Sequence, residues 1–526
     1  MTDDGTEDYD VSYIYTDHPL LPAESENSAI LMDRTDNSIT SWTDNGSTVN
    51  SATDELLGNR TGRNELLLDY AEYVWDGSSS TNWGTAANWT PASVPPSGAH
   101  IRIPNVINQP ILDANRQVGS VVLESGATAD LGGFNLSIGR DFVHDGVLSA
   151  SSGTLTFNGA NGDQRFFTNA DYTAEDIVIN NSDQVSNENG HIYLRGSMDI
   201  TAGTFETNDS LTVVSDALGT GRIGEITGTA ITGEIVMERY IDAGETYWRQ
   251  FASAVSGATI EQYNDDFTTA GYPGSLYPGF GWVSAYTYDE TLAPGSGYLE
   301  VTSASQVIGV GQGVHVWCGD TITGTLPFTV DLRGGANQGT INLPVTFTDY
   351  STPTEDGFCL IGNPYPSTID WDAAGWTKTN MANAVYILDP DTETYATYIA
   401  GAGANGGSRY LASQQSFWVQ SIGASPVLQI TESCKADVDA TYFKSGESAN
   451  PGCNIRLEGF GMSDECVIRH EAGALDAKEP EWDADKRWGA WGVNPQISLI
   501  NEEVVDLTVH TFDFGYEEWS VPLRVV

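Results

Sequence analysis

The sequence is short of positive charge. Its 526 residues hold 22 Lys plus Arg against 72 Asp plus Glu, a formal net charge of −50. Charged residues make up 18% of the chain, below the roughly 25% of ordinary globular proteins. The acidity therefore comes from missing cations more than from added anions. Only five lysines occur, and the first is Lys378, which excludes a Schiff-base lysine or a lysine cross-link from everything before it. Nucleic acids and anionic lipid surfaces need basic patches, and none is available. No run of 18 or more apolar residues exists, so no membrane insertion by a spanning helix is expected. Cysteine is also scarce: Cys318, Cys359, Cys434, Cys453 and Cys466 form no CxxC, and no histidine lies close in sequence to any pair, which argues against a zinc site. Cys453 and Cys466 flank a hairpin expected over Asn454–Phe460 and Glu465–His470. A turn near Met462 leaves them out of register for a disulfide. Buried small hydrophobes are the plain reading of these thiols. The seven histidines form no HExxH, and there is no GxSxG and no P-loop. The start, Met1-Thr2-Asp3-Asp4-Gly5, lacks the basic and apolar regions of a signal peptide. The chain stops at Arg524-Val525-Val526, as if in mid-strand. A fragment, or a mature piece of a longer protein, is expected.

What is present is a β pattern. With 40% hydrophobic residues, 14 Trp and 23 Tyr, the chain has the material for sizeable cores. Most apolar segments are short, rich in β-branched residues and alternating, as in Thr154-Leu155-Thr156-Phe157 and Gly313-Val314-His315-Val316-Trp317, with Gly, Asn, Asp and Pro between them. Helical signals are few: Glu65–Tyr73, with Asn64 as N-cap, and Asp370–Trp376 are each expected to make one or two turns. The fold class is all-β, with a β-solenoid-like N-terminal half followed by duplicated β-sandwich or jelly-roll-like modules. Residues 1–72 form an acidic arm with sixteen Asp plus Glu and three Arg, read either as a lid on the chain's own solenoid or as an assembly arm on a neighbouring subunit. Residues 73–240 carry short strands at about ten-residue spacing, which suits a solenoid, with a sandwich as the runner-up. At their start, Trp75, Trp83 and Trp89 make either a cap or an aromatic platform for sugars.

Residues 241–335 and 336–440 read as two copies of one unit, followed by a C-terminal β domain over 441–526. Tyr247–Ala254, Trp282–Asp289 and Gly311–Val316 recur in order as Phe358–Pro366, Asn383–Asp389 and Gln414–Val419. Tyr286 to Tyr386 is 100 positions and Gln312 to Gln415 is 103.

The second copy resembles a known family. Gly362-Asn363-Pro364-Tyr365-Pro366-Ser367 with Ile369-Asp370-Trp371, then Tyr386-Ile387-Leu388-Asp389-Pro390 and Tyr395-Ala396-Thr397-Tyr398, is similar to large surface proteins of Bacteroidota. Trp482-Asp483-Ala484-Asp485-Lys486, Asn494–Leu499 and Val521-Pro522-Leu523 extend the resemblance to residues 240–526. It implies export by the type IX secretion system, an extracellular location at the cell surface and a role as an adhesin or surface fibre. High negative charge suits such salty or calcium-bearing surroundings.

No catalytic constellation stands out, and the chain is not read as an enzyme. For Ca²⁺, Asp389-Pro390-Asp391-Thr392-Glu393 offers alternating carboxylates in a turn, with Asp389, Asp391 and Glu393 as ligands. Asp265-Asp266 is a weaker second candidate. For glycans, Trp83, Trp89, Trp371, Trp376 and Trp418 are the rings to test. The leading expectation is an extracellular structural or adhesive protein, one version being a subunit of a homo-oligomeric filament or a partner of other surface proteins. The alternative is a carbohydrate-binding module. A polysaccharide lyase or hydrolase comes third, since parallel solenoids also host such enzymes; Arg102, Arg116, Arg140, Arg165, Arg195 and Arg222 are the cations such a groove would have.

Overall fold

The computed structural model describes residues 72–149, 153–160, 162–242, 247–319, 327–390, 392–440, 452–489, 494–513 and 520–526, and before them the backbone of strands within 8–70. It falls into two compact units, Met1–Thr212 with Ile226–Gly233, and Val213–Glu225 with Glu234–Val526. The chain is all-β, with a solenoid of about six turns in its N-terminal half and several sheets after it.

In the acidic N-terminal segment, strand Asp8–Ile14 pairs antiparallel with Glu55–Thr61, and Ala29–Arg34 with Glu65–Tyr70. The helix expected over Glu65–Tyr73 is therefore a strand instead. One or two helical turns are unstable alone, whereas all six residues of Glu65–Tyr70 find partners in register across the sheet. The proposed cap Asn64 lies outside the described residues.

The solenoid follows from short alternating strands stacked in parallel. One ladder runs through Glu72–Trp75, His100–Ile103, Ser120–Leu123, Phe142–His144 and Gln164–Phe167, then through the later part of Asp176–Glu188. A second runs through Arg116–Val118, Leu136–Ile138, Thr154–Phe157 and the earlier part of Asp176–Glu188. Side chains in register stack inward, as Val118, Ile138, Phe157, Ile179 and Ile200 do, all of them buried. Phe142 and Phe166 stack face to face, 5.1 Å between centroids. Neighbouring turns thus cover one another's apolar residues, which no single turn can do alone. Buried amides hold the corners: Gln164 Nε2 donates to the carbonyls of Ile138 and Arg140 at 2.9 and 2.7 Å. At the first turn Trp75, Trp83 and Trp89 pack on one another with centroids 4.8–6.5 Å apart. Trp75 Nε1 donates to Asn108 O at 2.7 Å and Trp89 Nε1 to Trp83 O at 2.8 Å. All three are buried, the capping alternative of the two.

The second unit holds two sheets of one design. In the first, Tyr247–Phe251 pairs with Val314–Cys318, which pairs with Ala285–Tyr288, which pairs with Tyr298–Glu300. In the second, Phe358–Gly362, Ser416–Gln420, Val385–Leu388 and Tyr395–Ile399 pair in the same order, and Ala402–Ala404 adds an edge. The registers correspond: Tyr286 faces His315 as Tyr386 faces Trp418. The sheets meet through two equivalent bridges, Phe251 with Gln415 and Ile361 with Gln312. The matching bonds, Ala252 N–H to Gln414 O and Gly362 N–H to Gly311 O, are both 2.9 Å. This is the pattern of a local two-fold axis. Gly362 sits where a Cβ would lie 2.0 Å from that of Ala252, so only glycine permits this approach. The inner faces are buried; around the second sheet Ile361, Tyr365, Trp371, Phe417 and Leu428 form one core.

The expected helix at Asp370–Trp376 is absent. Asp370 ends the short strand Ile369–Asp370, its carboxylate accepts the Asp372 N–H at 2.9 Å, and its carbonyl accepts Trp376 Nε1 at 2.8 Å. Side chain and indole thus capture the groups that would start a helix. In the C-terminal domain, Gly452–Gly459 and Met462–His470 form the expected hairpin, with a turn at Phe460 and Gly461, both at positive φ. Cys453 faces Ile468 and Cys466 faces Ile455, so the two cysteines are not opposite; all five cysteines are free thiols.

Candidate functional site

The motifs that carried the family resemblance serve the fold. Buried Asn363 donates Nδ2 to the carbonyls of Ser367, Leu411 and Ala412 at 2.8, 3.2 and 3.0 Å and accepts the Tyr365 N–H at 2.9 Å. One amide thereby closes the Asn363–Ser367 turn onto the strand Tyr410–Leu411. In Trp482–Lys486, Asp483 accepts the backbone N–H groups of Thr511 and Glu479 at 2.6 and 2.8 Å. Lys486 forms a buried ion pair with Asp464, and Asp485 one with Lys478 at 2.6 Å.

The five rings selected for glycan contact are mostly enclosed. Trp83, Trp89, Trp371 and Trp418 are buried, because each finds apolar neighbours inside a cap or a sheet core. None of the four offers a face to a sugar. Trp376 alone keeps exposed surface, at a cleft of about 380 Å³ lined with Trp371, Asp372, Lys378 and Asn383. Lys378 occupies the Trp371 face: its Nζ sits 3.6 Å from the ring centroid and donates to Trp371 O and Asn383 Oδ1 at 3.0 and 2.8 Å. Burial holds this ammonium down to about 8. The cleft is thus built around an internally satisfied cation, which leaves little for a ligand to gain.

A cluster of partly exposed aromatics lies elsewhere, on the outer face of the first sheet. Trp248 stacks on His315 at 4.6 Å with 7° between planes and meets Trp282, Tyr286 and Trp317 edge-on at 5.4–5.6 Å. Phe280 extends the group to one side and Tyr298 to the other. Phe280 is 56% exposed, Trp282 37% and Tyr298 40%. Burial pushes the His315 imidazole down to about 4, so it is neutral at physiological pH. The sequence held a signal for this face: alternation in Val314–Cys318 puts Val314 and Val316 on one side and His315 and Trp317 on the other, where a solvated strand carries polar residues.

Of the first calcium candidates, Asp389 is buried, Glu393 sits at a positive φ of 51°, and Asp391 lies outside the described residues. Among the described residues, carboxylates converge at Asp265, Asp266 and Asp331, with one oxygen of each within 4.8 Å of the others. Asp331, brought in by the strand Phe328–Ala336, was invisible to a reading of the Asp265-Asp266 pair alone. Burial and the neighbouring carboxylates of Asp331 and Asp265 raise Asp266 to about 8; burial and Asp265 raise Asp331 as well. Three oxygens of this kind suit a hard cation, but what the geometry itself displays is mutual repulsion. Of the solenoid arginines, Arg102 pairs with Glu72 and Glu124, Arg116 with Asp113 and Arg165 with Asp141, while Arg222, in the second unit, pairs with Asp437. Arg140 and Arg195 also have partners.

Comparison with protein-family models, with curated proteins and with solved structures finds no match to this chain.

Proposed function

We propose that this chain is an extracellular structural or adhesive protein of a bacterial cell surface, working as a subunit of a homo-oligomeric filament or appendage. The observation that carries the reading is the solenoid. Its turns stack apolar residues in register beneath a closed tryptophan cap, and its buried amides are committed to backbone carbonyls, which makes a rigid scaffold rather than a cleft. The charge of −50 keeps such a surface hydrated. The resemblance of residues 240–526 to Bacteroidota surface proteins supplies the setting, including type IX secretion. The test is immunogold labelling of intact cells with antibody to the chain. Label on the outer surface or its appendages supports the proposal; label confined to the interior contradicts it.

A second reading, a carbohydrate-binding module, rests on the exposed rings of Phe280, Trp282 and Tyr298, since aromatic faces stack on sugars. It predicts glycan-array binding that Trp282→Ala abolishes. Binding that survives that change defeats it.

A further inference from the structure

Lys378 departs from the other described lysines. Lys435, Lys478 and Lys486 each form an ion pair, with Glu432, Asp485 and Asp464. Lys378 forms none among the described residues, in a chain with 72 Asp plus Glu. Its Nζ donates instead to an amide, Asn383 Oδ1, at 2.8 Å, and to Trp371 O at 3.0 Å. The Trp371 ring closes one side at 3.6 Å, and the Trp376 ring stands 5.9 Å off. A C=O bond is about 1.23 Å long, so Nζ lies within about 4 Å of the Asn383 Cγ. Attack on a carbonyl carbon needs about 3–3.5 Å, so a small rotation of the amide completes the approach.

Both residues are also held from outside the pair. Lys378 sits mid-strand in Thr377–Thr379, opposite Leu428. The Asn383 carbonyl accepts Trp371 Nε1 at 2.8 Å, and the Asn383 N–H donates to Pro480 O at 2.9 Å. The Trp376 indole is fixed in turn by Asp370 O at 2.8 Å. Groups pinned in a reactive geometry behave as if at very high concentration, on the order of 10⁵ M or more. Burial holds the Lys378 ammonium down to about 8, so about one amine in ten is neutral and nucleophilic at pH 7.

We infer that Lys378 and Asn383 join through their side chains in an amide cross-link, formed by the folded chain on itself. Lys378 Nζ attacks Asn383 Cγ and forms the new C–N bond. The Cγ–Nδ2 bond breaks, one proton of the neutral amine passes to the departing nitrogen, and ammonia leaves. No oxidant, reductant or outside group takes part. Asp372 lines the same cleft, and its charge acts on the Lys378 ammonium. Tyr398 donates to its Oδ2, with Arg409 3.8 Å from the same oxygen, which leaves Oδ1 to relay the proton. The bond closes the turn between Thr377–Thr379 and Val385–Leu388. It thereby fixes the residue through which this sheet bonds to Pro480 of the C-terminal domain. The cross-link does not depend on the cell-surface role: either stands if the other fails.

Intact-mass measurement of the purified full chain, followed by tryptic peptide mapping, tests the inference. Wild type should weigh less than its sequence by the mass of one ammonia. Trypsin should fail to cut after Lys378, since an acylated lysine carries no charge. Fragmentation of that peptide should give no backbone ions between Lys378 and Asn383, because the closed ring holds both halves together. Lys378→Arg, which keeps a cation beside Trp371, should show its full sequence mass, and so should Asn383→Ala. Asp372→Asn should slow ammonia loss from freshly synthesised chain at least tenfold. A wild type at full sequence mass, cut normally after Lys378, overturns the inference. So does a loss of ammonia with Lys378 still cut, which places a succinimide at Asn383 instead. Cross-linking of Asp372→Asn at the wild-type rate overturns the part given to Asp372.

Discussion

Asn363 shows how much one side chain can organise. Its amide satisfies three carbonyls and one N–H in a buried turn. Asn363→Ala strands those groups and should lower stability by about 1–3 kcal/mol, measured by chemical denaturation with folded-state spectra as the control. Asp266 gives a pH signature. Its folded pKa of about 8 lies above the ordinary value of about 3.9, so folding favours the protonated carboxyl. The resulting penalty is absent below roughly pH 4, grows as pH rises and is complete above about 8. Asp266→Asn should therefore raise the unfolding midpoint at alkaline pH and barely move it near pH 4; an equal gain at both would remove the role of this carboxyl. Sequence could nominate Asp265 and Asp266 but not their third partner, because Asp331 arrives through a fold contact 65 positions away. It could find the tryptophans but not their burial, since the same ring serves a cap, a core or an open face.

Short alternating runs were the most legible elements. Thr154–Phe157 has the same bounds in the sequence reading and in the structure, because apolar residues at period two have one way to face a shared interior. Tyr172–Ala174 and Gln164–Phe167 were missed: buried Gln164 reads as polar until its amide is seen holding a corner. Both expected helices failed for want of length, one to a partner strand and one to side-chain capture of its first turn. The solenoid's inward stack makes a prediction at this scale. Phe142→Ala removes a ring sandwiched in register with Phe166 and should cost about 3–5 kcal/mol, read as a lower denaturation midpoint. A loss under about 1 kcal/mol would mean that the rungs do not depend on one another.

For the whole molecule, the duplication was readable as three strings in order, and the structure adds that the copies share strand order and meet about a local two-fold axis. What sequence could not show is that the C-terminal domain covers one copy's outer face and leaves the other open, since this depends on where a domain of different sequence docks. The proposed function rests on the stacked, capped solenoid, an acidic scaffold that we propose assembles with its own copies at the cell surface. Electron microscopy of the purified chain at moderate salt, with and without calcium, tests that claim most directly. The account predicts paired particles and ordered assemblies that grow with salt and do not require calcium. Dispersed single particles under every condition would contradict it.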